Sequence, residues 1–83
     1  MRYEIRITRQ ARKDIEKLAP KLRSKLHDIL VNLIAENPYT GKKLLGDLAG
    51  SYSLRLNLKD RVVYSVDEAR KTVYIERART HYA

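Results

Sequence analysis

No cysteine occurs in these 83 residues. That excludes a disulfide scaffold, thiol chemistry and cysteine-ligated zinc. Tryptophan and phenylalanine are also missing, so six tyrosines must supply the large aromatic surface. Glycine and proline are few, three and two, and no linker, repeat or low-complexity segment is visible along the chain. No stretch approaches 18 uninterrupted apolar residues, so no helix is expected to span a membrane. The opening "MRYEIRIT" lacks the apolar centre of a secretory leader. A cytoplasmic protein is the expectation.

Acidic residues are the other shortage. Ten Asp and Glu face eighteen Lys and Arg, a formal charge of +8. On so short a chain this favours a polyanionic partner: nucleic acid, a membrane surface or an acidic protein. At 43% hydrophobic residues the chain can still build a core, thin and of about two layers, in a single domain spanning 1–83.

The apolar pattern assigns most elements. In "YEIRIT", Tyr3, Ile5 and Ile7 alternate with Glu4, Arg6 and Thr8, the period of a half-buried strand. Thr8 is placed to cap a first helix whose Ala11, Ile15 and Leu18 share one side. Pro20 suits the first turn of a second helix. There Leu22, Leu26, Ile29, Leu30, Leu33 and Ile34 recur at three- and four-residue steps, and Pro38 ends the run. A loop follows that holds Gly41, Gly46 and Gly50. Its glycine spacing is not a phosphate loop, since no Gly-Lys-Ser/Thr follows and no strand feeds it. Three strands come last, at about Tyr52–Leu58, Arg61–Val66 and Thr72–Arg79. The expected fold is α+β: a two-helix hairpin on one face of a mainly antiparallel four-stranded sheet, in the order β-α-α-β-β-β.

The middle hairpin admits two registers. A two-residue turn at Lys59-Asp60 pairs Leu58 with Arg61. A three-residue turn at Leu58-Lys59-Asp60 pairs Asn57 with Arg61. The second is preferred because it gathers Tyr52, Leu54 and Leu56 with Val62, Tyr64 and Val66 on one face. The other face then collects Ser53, Arg55, Asn57, Arg61, Val63 and Ser65. Like charges on one sheet face cost stability unless an anion lies between them, and arginine's fork of donors suits phosphate. Simple solvation of the sheet is the competing account of Arg55 and Arg61, and the residues alone do not separate the two. In the last strand Ala78 is out of phase with Val73 and Ile75. Either the strand bulges or Arg77 lies at the core edge and snorkels.

The chain finishes "ERARTHYA". A histidine moves protons near neutral pH, a tyrosine stacks or donates, and arginines hold phosphate. These are parts for metal-free RNA cleavage, in which the ribose 2′-hydroxyl attacks its own phosphate. His81, Tyr82, Arg55, Arg61 and Arg79 could supply most of it. Two histidines, His27 on a helix and His81 near the end, make a poor metal-ligand set, so neither metal nor cofactor is expected.

Taken together, Leu48-Ala49-Gly50 with Tyr52-Ser53-Leu54-Arg55, then Arg61-Val62-Val63-Tyr64, then Arg79-Thr80-His81-Tyr82 resemble a RelE/YoeB-type toxin of the RelE/ParE toxin–antitoxin superfamily. The resemblance spans essentially the whole chain, and the Arg-x-His-Tyr ending resembles the YoeB branch. It implies an mRNA endoribonuclease that cuts in the A site of the 70S ribosome without a metal. It also implies a cognate antitoxin with an acidic, partly disordered segment, and contact with operator DNA only through that antitoxin. Carried over by position, His81, Tyr82, Arg61 and Arg55 are the implied catalytic residues. Arg79, Arg77, Lys42, Lys43 and Asn57 are candidates for holding RNA phosphate. The pattern departs from the YoeB branch in one place: Lys42 stands where that branch has a candidate general base, a glutamate. Two alternatives share the fold, a ParE-like gyrase inhibitor and a non-catalytic co-repressor that binds the antitoxin.

Overall fold

The computed structural model describes residues 2–79, with Arg79 given by its backbone alone. The Thr8 hydroxyl accepts from the Ala11 N–H at 3.2 Å and so caps α1 (Arg9–Glu16). The same hydroxyl donates to the Ile75 carbonyl at 2.9 Å, fixing the start of the helix to the sheet. Pro20 opens α2 (Pro20–Ile29), where a missing N–H costs nothing. The helix runs on as a π turn over Leu30–Ile34, closed by the Ala35 N–H on the Leu30 carbonyl at 2.9 Å. A wider turn rotates the side chains that follow. Leu30, Ile34 and Ala35 are buried, whereas Leu33, expected in the apolar stripe, is 40% exposed.

The sheet has five strands in the order β1-β5-β4-β3-β2. These are β1 (Glu4–Ile7), β2 (Lys42–Lys43), β3 (Ser51–Arg55), β4 (Arg61–Asp67) and β5 (Thr72–Arg79). β1 runs parallel to β5, and the other pairs are antiparallel. The short β2 adds a fifth strand to the four expected. It pairs Lys42 with Ser53 and Lys43 with Tyr52, and the Leu44 N–H continues the ladder to the Ser51 carbonyl at 2.9 Å. Leu26, Leu30 and Ile34 from the helical side meet Leu56, Val62, Tyr64, Val73, Ile75 and Ala78 in one core. Among the described residues, no helix is long and apolar enough to cross a membrane.

The β3–β4 hairpin corrects the preferred register. Arg55, not Asn57, faces Arg61, and Tyr52 faces Tyr64. Asn57 leaves the ladder to close the turn: its Oδ1 accepts from the N–H groups of Lys59 at 2.8 Å and Asp60 at 2.6 Å. The connection therefore takes five residues, and β3 ends at Arg55 instead of Leu58. The slip is two residues, an even number, so every side chain keeps its expected face.

Tyrosines stitch one end of the molecule together. Tyr3, Tyr39 and Tyr52 meet edge to face, and Tyr52 stacks on Tyr64 at 5.8 Å between ring centroids. Glu68, in the β4–β5 turn, accepts from the phenols of Tyr3 and Tyr39 and pairs with Lys71. The Lys71 hydrogen bond, then those of the two phenols, hold its carboxyl down to about 2. Glu68 is thus committed to the fold.

Candidate active site

Paired residues on neighbouring strands put their side chains on the same side of a sheet. Tyr52 and Leu54 face the helices with the core, so Ser51, Ser53 and Arg55 face the other way. Arg61 joins them directly opposite Arg55, and the Arg79 backbone pairs with Arg61 from β5. Three arginines on three adjacent strands thus stand at one level of the sheet. Arg55 is exposed and Arg61 half-buried. Among the described residues, neither has a carboxylate within salt-bridge distance. Directly opposed like charges cost roughly 0.2–1 kcal/mol, which an anion held between them would reverse.

The two loop lysines separate. Lys42 pairs with Ser53 and so shares the arginine face, while Lys43 pairs with Tyr52 and has the opposite parity. Asn57 lies in the exposed turn beside the arginines, its carbonyl oxygen already engaged. His81 and Tyr82 lie outside the described residues.

β5 takes both courses that its sequence left open. The register with β4 shifts between Val63, which faces Arg77, and Tyr64, which faces Ile75. Glu76 is the extra residue of this bulge, and the shift returns Ala78 to the core, fully buried. Arg77 leans to α1: its Nε donates to Asp14 Oδ2 at 2.9 Å and its Nη2 to Oδ1 at 3.4 Å. Its charge is thereby engaged in the fold. The Ala78 N–H donates to the same carboxylate at 3.0 Å. β1 pairs with β5 only as far as Ile75, so Asp14 serves the strand edge that β1 leaves bare. Sequence reasoning passed over Asp14 because one carboxylate among basic helix residues looks like a solvated charge.

Burial pushes the Asp14 carboxyl up, but the Arg77 hydrogen bond, the Ala78 N–H and the Arg77 charge outweigh it and hold the carboxyl below its ordinary value. A depressed carboxyl stabilises the fold fully above its unfolded value of about 3.9, and this stabilisation is lost as pH falls through the folded value. Asp14→Ala leaves a guanidinium and a buried N–H without their acceptor, and should cost about 2 kcal/mol at pH 7. Urea unfolding at pH 7 and at pH 3 measures it. The gap between wild type and variant should narrow at the lower pH; an equal gap at both would mean that Asp14 acts through packing.

Among the described residues, no three His, Asp or Glu side chains come together as metal ligands. What the face offers is a cationic clamp with hydroxyls beside it.

The comparisons with known proteins agree on one family. The family described as "ParE-like toxin of type II bacterial toxin-antitoxin system" matches residues 5–82. Toxin RelG of Mycobacterium tuberculosis is 33% identical over 78 residues, covering 93% of this chain and 88% of RelG. A chain of the RelBE2 toxin–antitoxin complex from the same organism superposes with a TM-score of 0.88 at 30% identity, covering 98% of this chain and all of that one. A YoeB/ParE toxin from Agrobacterium tumefaciens gives 0.84 at 26% identity, over 95% and 99% of the two chains. The chain belongs to the RelE/ParE superfamily of toxins from type II toxin–antitoxin systems, related in sequence and structure to the RelE and YoeB toxins.

Proposed function

We propose that this toxin is a ribosome-dependent mRNA endoribonuclease that cuts in the A site of the 70S ribosome. The ribose 2′-hydroxyl attacks the adjacent phosphate, the bond to the 5′ oxygen breaks, and amino-acid side chains alone move the protons. The observation that carries this reading is the Arg55–Arg61 pair. Two arginines without carboxylate partners among the described residues, side by side on one sheet face with Lys42 nearby, suit a phosphate whose negative charge grows in the transition state. Arg79 extends the basic rim toward the RNA and Asn57 adds an amide in the turn beside it, while Lys43, of opposite parity, and Arg77, held by Asp14, are the weaker candidates for phosphate. His81 is the proton-transfer residue, and Tyr82 stacks on a base or donates to an oxygen.

The +8 charge suits both implied macromolecular partners, RNA phosphate and an antitoxin with an acidic, partly disordered segment. Several solved relatives are complexes of a toxin with its antitoxin, such as YoeB–YefM from Staphylococcus aureus. Operator DNA is reached through the antitoxin.

A gyrase inhibitor is the second reading, favoured by the ParE-like description of the matching family. Primer extension on mRNA from a defined cell-free translation reaction, with and without ribosomes, distinguishes them. Cuts within codons that need ribosomes are expected. They should weaken in a His81→Ala/Tyr82→Ala variant that still binds antitoxin. Intact mRNA beside inhibited gyrase would overturn the nuclease reading.

A further inference from the structure

The last strand loses its outer neighbour just before it reaches the arginine level. β1 pairs with β5 only to Ile75, and the Thr8 N–H makes a last bond there, to the Ile75 carbonyl at 3.1 Å. The ladder with β4 is then interrupted by the bulge at Glu76. A bulge leaves one residue unpaired and disrupts the ladder around it. Glu76 is tied instead to β3, its Oε1 accepting from the Ser51 hydroxyl at 3.0 Å. Yet the strand regains register at once: Ala78 pairs with Val62, and the Arg79 backbone with Arg61.

What braces this stretch is α1, which packs along β5. On one side of the bulge the Thr8 hydroxyl donates to the Ile75 carbonyl at 2.9 Å. On the other side Asp14 Oδ2 accepts from the Ala78 N–H at 3.0 Å. The two spans match. The helical rise from Thr8 to Asp14 is about 9 Å, and the strand rise from Ile75 to Ala78 is at most about 10 Å. The helix thus follows the edge that β1 vacates, with Ala11 fully buried between the two bonds. Asp14 is itself buried and held from both sides, by the Arg77 guanidinium at 2.9 Å and by the Gln10 amide at 3.4 Å. A carboxylate fixed in this way sets the position of the strand it serves.

We propose that Asp14 is a positioning residue of the candidate site, holding the end of β5 against β4 at the level of Arg61 through the Ala78 N–H. This rests on the nuclease reading. Arg61 has Arg55 on one flank and the β5 backbone on the other. When the end of β5 drifts, one flank of Arg61 goes with it. A misplacement of about 1 Å at the reacting groups can cost about 100-fold in rate, even when the change lies far from the chemistry. Asp14 meets no phosphate in this account and acts through the strand alone.

Single-turnover cleavage of mRNA on purified 70S ribosomes tests the assignment, with wild type, Asp14→Ala, Asp14→Asn and Ile34→Val compared where all four are folded. Asp14→Asn keeps an oxygen for the Ala78 N–H but gives up the ion pair with Arg77. Asp14→Ala gives up both. Ile34→Val thins the core on the helical side and lowers stability alone. Asp14→Ala should lose about 100-fold in rate at saturating toxin, with its half-saturating concentration within about threefold of wild type. Asp14→Asn should stay within about tenfold of the wild-type rate although its melting temperature also falls, and Ile34→Val should cleave as wild type does. Amide hydrogen exchange adds a readout that needs no ribosome: the Ala78 amide should lose protection in Asp14→Ala and keep most of it in Asp14→Asn, with Val73 protected in both. A rate that follows the melting temperature across the variants, or an Asp14→Asn as slow as Asp14→Ala, gives Asp14 a purely structural role and overturns the proposal. So does an unchanged Ala78 amide, or a rise in half-saturating concentration in place of the lost rate. A wild type that cuts beside an equally fast Asp14→Ala overturns the proposal alone; a wild type that does not cut overturns the nuclease reading with it.

Discussion

Arg61→Ala should slow ribosome-dependent cleavage by about 10²–10³-fold, as removal of a preorganised charge at a transition state does elsewhere, while the fold survives. Arg61 is the centre of the candidate site: it lies on β4, paired with Arg55 on one side and with the Arg79 backbone on the other. Its backbone belongs to the ladder and is untouched by the substitution. Its side chain is half-buried and has no acid partner among the described residues, so no carboxylate is orphaned when it is removed. Relief from Arg55 should offset the lost packing of the arginine stem. The melting temperature is therefore expected to stay within a few degrees. Arg61→Lys keeps the charge but loses the planar fork, and should fall between the two. The measurement is the single-turnover rate together with a thermal melt. Unfolding of the alanine variant would make Arg61 structural; unchanged cleavage by a folded variant would remove it from the mechanism.

The parts of this site differ in how far the sequence announces them. Thr8 as a cap and Pro20 as a helix start are local signals, decided within a few residues, and the structure has both. The face of Arg55 and Arg61 was legible because parity survives an even slip in register. The register itself was not, because an Asn57 side chain that closes a turn competes with an Asn57 that continues a strand, and hydrophobic pattern cannot weigh them. Leu33 shows the same limit in a helix, where a π turn rotates the stripe without changing the spacing that announces it. Glu76 and Asp14 were hidden for a different reason. Each is fixed by a partner across the fold, Ser51 for one and Arg77 for the other, more than twenty residues away in sequence. A bulge breaks the alternation that assigns faces, so the residue it adds is the one whose direction the pattern leaves open.

The largest loss of stability is expected at Gly41, where no unusual backbone angle is involved. The loop crosses Tyr64 there, and a Cβ on Gly41 would fall on the Tyr64 hydroxyl, 2.9 Å from the Ser53 carbonyl oxygen and 3.1 Å from Tyr64 Cζ. Neither neighbour can yield. Tyr64 is fully buried and donates to the Pro38 carbonyl at 2.6 Å, and Ser53 O belongs to the backbone of β3. Burial, opposed by the Gly41 N–H, pushes the phenol up to about 12, so this hydroxyl keeps its proton. Gly41→Ala must therefore push the loop off the sheet or break the Tyr64 bond. Overpacking costs about 1–3 kcal/mol, and an orphaned buried carbonyl about 1–3 kcal/mol more. A total near 3 kcal/mol would lower the melting temperature of a domain this size by about 12–24 °C. Gly46 and Gly50 give the contrast. Both have positive φ, +67° and +97°, with nothing within 4 Å of the point where a methyl group would stand, so alanine there costs backbone strain alone, about 1 kcal/mol. The clash also predicts non-additivity. Tyr64→Phe removes the hydroxyl that the new methyl meets, so Gly41→Ala/Tyr64→Phe should lose less stability than the two single changes summed. Strict additivity, or a Gly41→Ala melt within a few degrees of wild type, would place the loop elsewhere. β2 and Lys42 would then go with it, since the pairing of Lys42 with Ser53 depends on the same crossing.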